Sequence, residues 1–195
     1  MRVKQITVYE FEELSSKAKR KAIDHFQDIN IDYEWWEPEL DYWKGKLSEY
    51  GFRQPEIYFS GFSNQGDGAC FEFNGLDIEK VWTFYTKHNK VKHEAALKFY
   101  LQEFHHFQTR TINSRYSHAM TREIACDYYS NREYRHLDKE AKRFEEWLES
   151  FRVGLCHEIY HNLSDEYNGL TSEESIVDTI KANDYEFTEN GKLSV

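Results

Sequence analysis

His157-Glu158-Ile159-Tyr160-His161 is the sharpest chemical pattern in this sequence. Two histidines four residues apart share one face of a helix and could grip a zinc ion, with the glutamate polarising a metal-bound water. The pattern fixes only three residues, and no third ligand is evident beside it. Two exposed histidines on an amphipathic helix are the plainer reading, so zinc at His157, Glu158 and His161 is kept as an alternative. A second group lies between Phe104 and Arg122, a window without Asp or Glu in a chain that has 35 of them. It holds His105, His106, Arg110, Arg115, His118 and Arg122. Thr111, Asn113 and Arg115 alternate, as do Met120 and Arg122, which predicts strands with their arginines on shared faces. Guanidinium groups so placed hold phosphate or carboxylate bidentately. The plainer reading has each arginine paired with an acid of the same chain.

The third group is Ile57-Tyr-Phe-Ser-Gly-Phe-Ser-Asn-Gln-Gly-Asp-Gly-Ala-Cys-Phe-Glu-Phe73. Two aromatic runs of β type flank a polar turn, longer than the two residues a hairpin needs. Ser60, Ser63, Asn64, Gln65 and Asp67 supply donors and acceptors, and Tyr58 or Phe62 could stack on a base. Asp67 would repel phosphate, so it is assigned to sugar, base edge or its own loop. The segment lacks a Gly-Lys-Ser/Thr ending and opens no helix, so it is not a P-loop. A tight turn whose polar groups satisfy one another is the competing reading.

The elements that must position these groups follow from periodicity. Val3 to Phe11 reads as a strand. Ser15 caps a helix carrying Ala18, Ala22, Ile23 and Phe26. Pro38 opens a second helix, with Trp36, Leu40, Trp43, Leu47 and Tyr50 on its apolar face and Gly51 at its end. The hairpin of Glu56 to Phe73 comes next, then a helix over Val91 to Phe107. Thr109 to Tyr129 returns to β character with a turn near Ser117-His118. Leu137 to Tyr167 carries the strongest helical stripe, from Ala141 and Phe144 through Leu148, Phe151, Leu155, Ile159 and Leu163 to Tyr167. Asn168-Gly169 is its expected stop. Thr171-Ser-Glu-Glu174 has capping-box spacing before a short helix. Tyr185 to Leu193 closes the chain as a strand with a turn at Asn190-Gly191. The class is α+β: an antiparallel sheet of hairpins packed by helices, with one long helix in the C-terminal half, in a single domain of residues 1–195.

Composition narrows the function. A formal net charge of −10 over 195 residues argues against general nucleic-acid binding. No apolar run reaches membrane-spanning length, and the N-terminus has no signal core, so a cytoplasmic protein is expected. Cys70, Cys126 and Cys156 are isolated, odd in number and expected reduced. Trp35, Trp36, Trp43 and Trp147 suit a core or a subunit interface. A helix of roughly 45 Å with a continuous stripe suggests a homodimer.

Four segments carry a resemblance: Tyr9 to Ala22, Asp32-Tyr-Glu-Trp-Trp36, Tyr58 to Phe71, and Leu170 to Gly191, with its Asn-Asp-Tyr-Glu-Phe-Thr-Glu-Asn-Gly tail. Through them the chain resembles a family of small phage proteins, some labelled antitoxins of toxin–antitoxin systems. The resemblance implies phage origin and an anti-defence role, and implies no catalytic residue or cofactor. The expectation is therefore a non-enzymatic binding protein, a sponge for a small anionic nucleotide-type signal. The glycine hairpin would contact sugar or base, and Arg110, Arg115, His118 and Arg122 would hold phosphate. One alternative is an antitoxin-like inhibitor covering another protein. The other is a hydrolase or phosphodiesterase working through the His157–His161 pattern.

Overall fold

The computed structural model describes residues 7–194. Its strands and α-helices run β1 (Tyr9–Glu10), α1 (Ser16–His25), α2 (Glu37–Tyr50), β2 (Glu56–Ser60), β3 (Gly68–Glu72), α3 (Ile78–His88), α4 (Glu94–Phe104), β4 (His105–Thr111), β5 (Arg122–Tyr128), α5 (Asp138–Leu170), α6 (Glu173–Ala182) and β6 (Glu186–Phe187). This is an α+β fold of small antiparallel sheets, six helices and one long helix, α5. The expected strand over Val3 to Phe11 lies partly outside the described residues; what is described of it is β1, followed by a 3-10 turn at Phe11–Glu13.

The chain divides into two compact units. One takes residues up to 37 and from 163 onward; the other takes 38–162. In the smaller unit, Ser15 caps α1 by accepting from the Ala18 N–H, a contact worth about 1 kcal/mol. α6 is capped by Ser172, which accepts from the Ser175 N–H, so the cap sits one residue later than the Thr171–Glu174 spacing suggests. Phe11, Leu14, Ala18, Ala22, Ile176, Ile180 and Phe187 form the core of this unit. Phe26 stacks on Tyr185 with ring centres 4.8 Å apart. Asn30 ties the unit together: its amide donates to the Leu170 carbonyl and to Ser175 Oγ, and Thr179 Oγ1 donates to its carbonyl. The Asn190-Gly191 turn has a packing reason as well as a conformational one. A Cβ on Gly191 would lie 2.1 Å from the Ala18 carbonyl oxygen.

The larger unit is built on two hairpins. β2 pairs with β3 from Glu56↔Glu72 to Ser60↔Gly68, and β4 pairs with β5 from His105↔Tyr128 to Thr111↔Arg122. The hairpins meet along the chain that continues β3: Thr109 N donates to Phe73 O, Gly75 N donates to Phe107 O, and Asn74 bridges Gln108. Aromatic side chains fill the space between this sheet and the helices. Phe52 lies edge-on to Phe71 and Phe73, Phe107 and Tyr85 lie against Phe144, and Trp147 stacks on Phe151. Each such ring removes a large apolar area from water. The Trp43 and Trp82 indole N–H groups donate to Glu39 and Glu94, so neither is buried unpaired.

Four expectations change. α3 has no counterpart in the sequence reading. The helix expected over Val91 to Phe107 gives way to β4 at His105. α5 runs past Asn168-Gly169 to Leu170. The alternating segment around Asn113 and Arg115 is a loop, because Asn113 Oδ1 accepts from the Arg115 N–H and turns the chain back on itself. The α5 stripe that suggested a second copy is covered within this unit, at Phe144 by Trp82, Tyr85 and Phe107 and at Phe151 by Tyr50, Phe52 and Phe84.

Candidate functional site

The glycine hairpin and the Arg/His window meet, and they meet by packing on each other. Residues 112–121 fold across the face of the β2–β3 hairpin that carries Tyr58, Ser60, Gly68, Cys70 and Glu72. A Cβ on Gly68 would come within 2.5 Å of the His118 Cβ, and one on Gly66 within 3.4 Å of the Tyr116 ring. Gly66 also has φ +99°, which glycine adopts without strain. Cys70 lies beside Thr121, and burial pushes its thiol pKa up. The room left by these glycines is filled by the chain's own loop.

The remaining hairpin groups are similarly engaged. Asp67 Oδ2 accepts from the Ser63 and Asn64 N–H groups at 2.9 and 2.7 Å, closing the turn. Phe62 stacks on Phe59 and Tyr160, and the Tyr160 hydroxyl donates to the Gly61 carbonyl. The Ser60 hydroxyl is buried without a hydrogen-bond partner. Phe62 and Asp67 are therefore engaged within the turn itself, and Ser60, at the end of β2, is not. Ser63, Asn64 and Gln65 keep exposed side chains.

The arginines separate in the same way. Arg110 pairs with Glu123, its direct cross-strand partner. Arg122 is buried; its Nε donates to Glu72 at 2.6 Å, its Nη1 donates to the Asn113 and Thr121 carbonyls, and its guanidinium lies 5.6 Å from the Tyr58 ring centre. His118 accepts from the Met120 N–H through Nδ1. His118 and Arg122 thus hold the loop through contacts within the chain, whereas Arg110, its side chain 71% exposed, keeps a surface pair with Glu123. Arg115 differs: its side chain is exposed, lies over the Tyr116 ring at 5.3 Å and has no acidic partner among the described residues.

Beneath the loop is a residue that the sequence analysis passed over. Arg152 of α5 is fully buried. Its guanidinium donates to Glu149, to the Ala119 carbonyl at 2.8 Å and to the Arg122 carbonyl at 2.9 Å. Burial works against its charge, and Glu149 outweighs that, so its pKa rises. Glu149 also accepts from the Ile124 N–H. This pair pins the end of the loop to α5. An arginine in an apolar stripe, three residues after a glutamate, was the available signal.

Beside the exposed Asn113, Ser114 and Arg115, the loop shows apolar side chains to solvent. Ile112, Tyr116 and Met120 are 58%, 38% and 68% exposed, and Tyr58 beside them is 42% exposed. Ile112 and Met120 rim a concavity of ≈ 250 Å³ with Arg122, Glu123, Ile124, Glu145 and Glu149.

At the opposite end of the β4–β5 hairpin, Tyr100, His105, Tyr128, Asp138, Ala141, Lys142 and Glu145 line a second concavity, of ≈ 210 Å³. His105, Cys126 and Glu145 converge at its side, with one donor atom from each within 4.8 Å of the others. Burial and then Glu145, which hydrogen-bonds the thiol, push Cys126 up to about 12. Burial lowers the pKa of His105. Tyr100, buried and donating to Asp138 Oδ1 at 2.9 Å, is raised to about 12.

His157, Glu158 and His161 lie exposed on α5. The three-donor cluster found among the described residues is the one at His105, not this one.

Comparison with known proteins ties these features to a family. A family model described as a domain of unknown function, DUF8835, matches residues 35–173. The chain belongs to DUF8835. The matched span of this DUF8835 chain contains both concavities and the loop, and the family description names no activity. No curated protein and no solved structure matches it.

Proposed function

We propose that this protein is a binding protein that recognises another protein through the loop of residues 112–120. The observation that carries this reading is the exposure of Ile112, Tyr116 and Met120 around Arg115, which has no acidic partner among the described residues. Met, aromatic residues and Arg are the types enriched at protein interfaces. Grouped apolar side chains left in water on one loop also suit a docking surface. The complementary partner surface is an apolar recess bordered by an acidic group for Arg115. This fits the antitoxin-like inhibitor among the sequence expectations. Three free cysteines suit a reducing compartment such as the cytoplasm.

A photo-crosslinking residue in place of Met120 tests the reading in an extract of the producing cell. The expected result is one protein adduct of defined mass, competed by unmodified protein and weakened by Arg115→Ala. An adduct of twice the chain mass would identify the partner as a second copy and restore the homodimer.

A nucleotide-type ligand remains the second reading, favoured by one observation. Arg115 lies over Tyr116, whose ring faces Gly66 of the hairpin turn that carries the exposed Asn64 and Gln65. Such cation–aromatic platforms hold bases and phosphates. Native mass spectrometry with a panel of cyclic dinucleotides and cyclic ADP-ribose isomers separates the two readings. A nucleotide released intact on denaturation would replace the protein partner with a small-molecule sponge.

A further inference from the structure

We propose that His105, Cys126 and Glu145 bind a zinc-class divalent metal ion, with a fourth coordination position facing the concavity beside them. This goes beyond the binding surface at the loop and does not rest on it. The strand register brings the first two donors together. His105 pairs with Tyr128 and Phe107 pairs with Cys126, so His105 and Cys126 are diagonal neighbours on one face of the β4–β5 hairpin. That face packs on α5, as the Phe107–Phe144 contact shows. Glu145 follows Phe144 on α5 and adds the third donor.

The imidazole is set in a manner typical of a ligand. His105 Nδ1 lies 3.2 Å from the Tyr100 carbonyl oxygen. A carbonyl only accepts, so Nδ1 carries the proton and Nε2 is the nitrogen with a free lone pair. Metal-binding histidines are oriented by this kind of hydrogen bond on the other ring nitrogen. Among the described residues, His105 makes no other hydrogen bond. Its ring is held edge-on to Tyr100 at 4.6 Å and stacked between Phe107 and Tyr128 at 6.0 and 5.8 Å. Such packing leaves little ring rotation to lose on binding.

The donor set selects the metal. One thiolate, one imidazole and one carboxylate suit zinc and its neighbours and disfavour calcium or magnesium, which take oxygen ligands. Zinc bonds of ~2.0–2.3 Å place tetrahedral donors ~3.3–3.8 Å apart. The donors here, within 4.8 Å of one another, reach that spacing by a side-chain adjustment of about 1 Å. Three protein ligands with an open fourth position are the arrangement of zinc sites that bind water or substrate. Asp138, Lys142 and Tyr128 line the concavity on the open side.

Cobalt(II) is the probe, since a thiolate bound to it gives a near-ultraviolet charge-transfer band and visible d–d bands. Full-length protein is freed of metal with a chelator and titrated with cobalt. The expected result is a thiolate band that saturates at one ion per chain and is bleached by zinc. Cys126→Ser removes the band. His105→Ala and Glu145→Gln lower cobalt affinity by at least the ~10–100-fold that loss of an outer-sphere partner costs. The doubly substituted His157→Ala, His161→Ala protein keeps the band unchanged. Circular dichroism identifies any variant that fails to fold, and Glu145→Gln, the mildest change, stands in for it. Absence of the band in folded wild-type protein would overturn the site. So would a band that survives Cys126→Ser or disappears with His157 and His161.

Discussion

The two ends of the β4–β5 hairpin use the same kinds of residue to opposite effect. At the loop end, polar groups meet their complements: Arg110 faces Glu123 across the strands, Arg122 reaches Glu72, and Arg152 holds two backbone carbonyls. Arg115 and an apolar rim stay open to solvent. At the other end, His105, Cys126 and Glu145 are three donors set close together. A pairing in register neutralises a site; a convergence of donors leaves it able to take something up. Charged residue types in the sequence do not distinguish these cases, because the distinction lies in who faces whom.

The largest expected effect falls on the pin of the loop end. Arg152→Leu leaves Glu149 and two carbonyls without their partner and should destabilise the chain by about 3–5 kcal/mol, measured by urea unfolding. Amide exchange should quicken at Thr121 and Arg122 while cobalt binding at the far end persists. Equal loss at both ends would mean that the hairpin acts as one unit and the contrast fails.

Next is Gly68→Ala. The added methyl carbon would sit 2.5 Å from the His118 Cβ, with the His118 Cα only 3.0 Å away. Overpacking of this kind costs about 1–3 kcal/mol. Crosslinking from position 120 should fall with it. A neutral substitution would show that the loop does not rest on the hairpin.

Alkaline pH gives a third, smaller effect. Cys156 is pushed up to about 12, chiefly by burial. A thiol whose pKa rises on folding holds its proton more tightly in the folded chain. The stability it contributes is whole below the unfolded value of about 8.5 and is lost as pH climbs toward 12. Cys156 should cost up to ~1.4 kcal/mol per pH unit across that window. Cys156→Ala, compared by urea midpoints at pH 8 and 10.5, should flatten the dependence.

The smallest stability effect is expected at Arg115. Arg115→Ala should stay within about 0.5 kcal/mol of wild type in unfolding, as exposed sites do. Its effect should appear in partner binding, weakened about tenfold or more, as for an interface arginine.

Much of the scaffold was legible in the sequence. The α5 stripe repeats at helical spacing for eight positions, and Ser15 and Pro38 mark helix starts by mechanisms local to the chain. Helix α3 escaped because Val81, Trp82, Thr83, Phe84 and Tyr85 are β-branched or aromatic residues of low helix propensity. Its signal was the Asp77 cap followed by apolar positions 78, 81, 82 and 85. The loop was misread as strand because alternation survives by chance over Thr111, Asn113 and Arg115, while the Asn113 side chain had already turned the backbone. The site at His105 was not legible at all. Its three ligands lie on β4, β5 and α5, and only the strand register and the facing side of α5 bring them together.

The most direct test of the division between the two ends is photo-crosslinking from Met120 in parallel with Tyr129, an exposed aromatic residue beyond the other end of β5. One defined protein adduct is expected from position 120, weakened in Arg115→Ala and kept in Cys126→Ser, with none of that mass from position 129. Equal adducts from both positions, or an adduct at 120 indifferent to Arg115, would contradict that division.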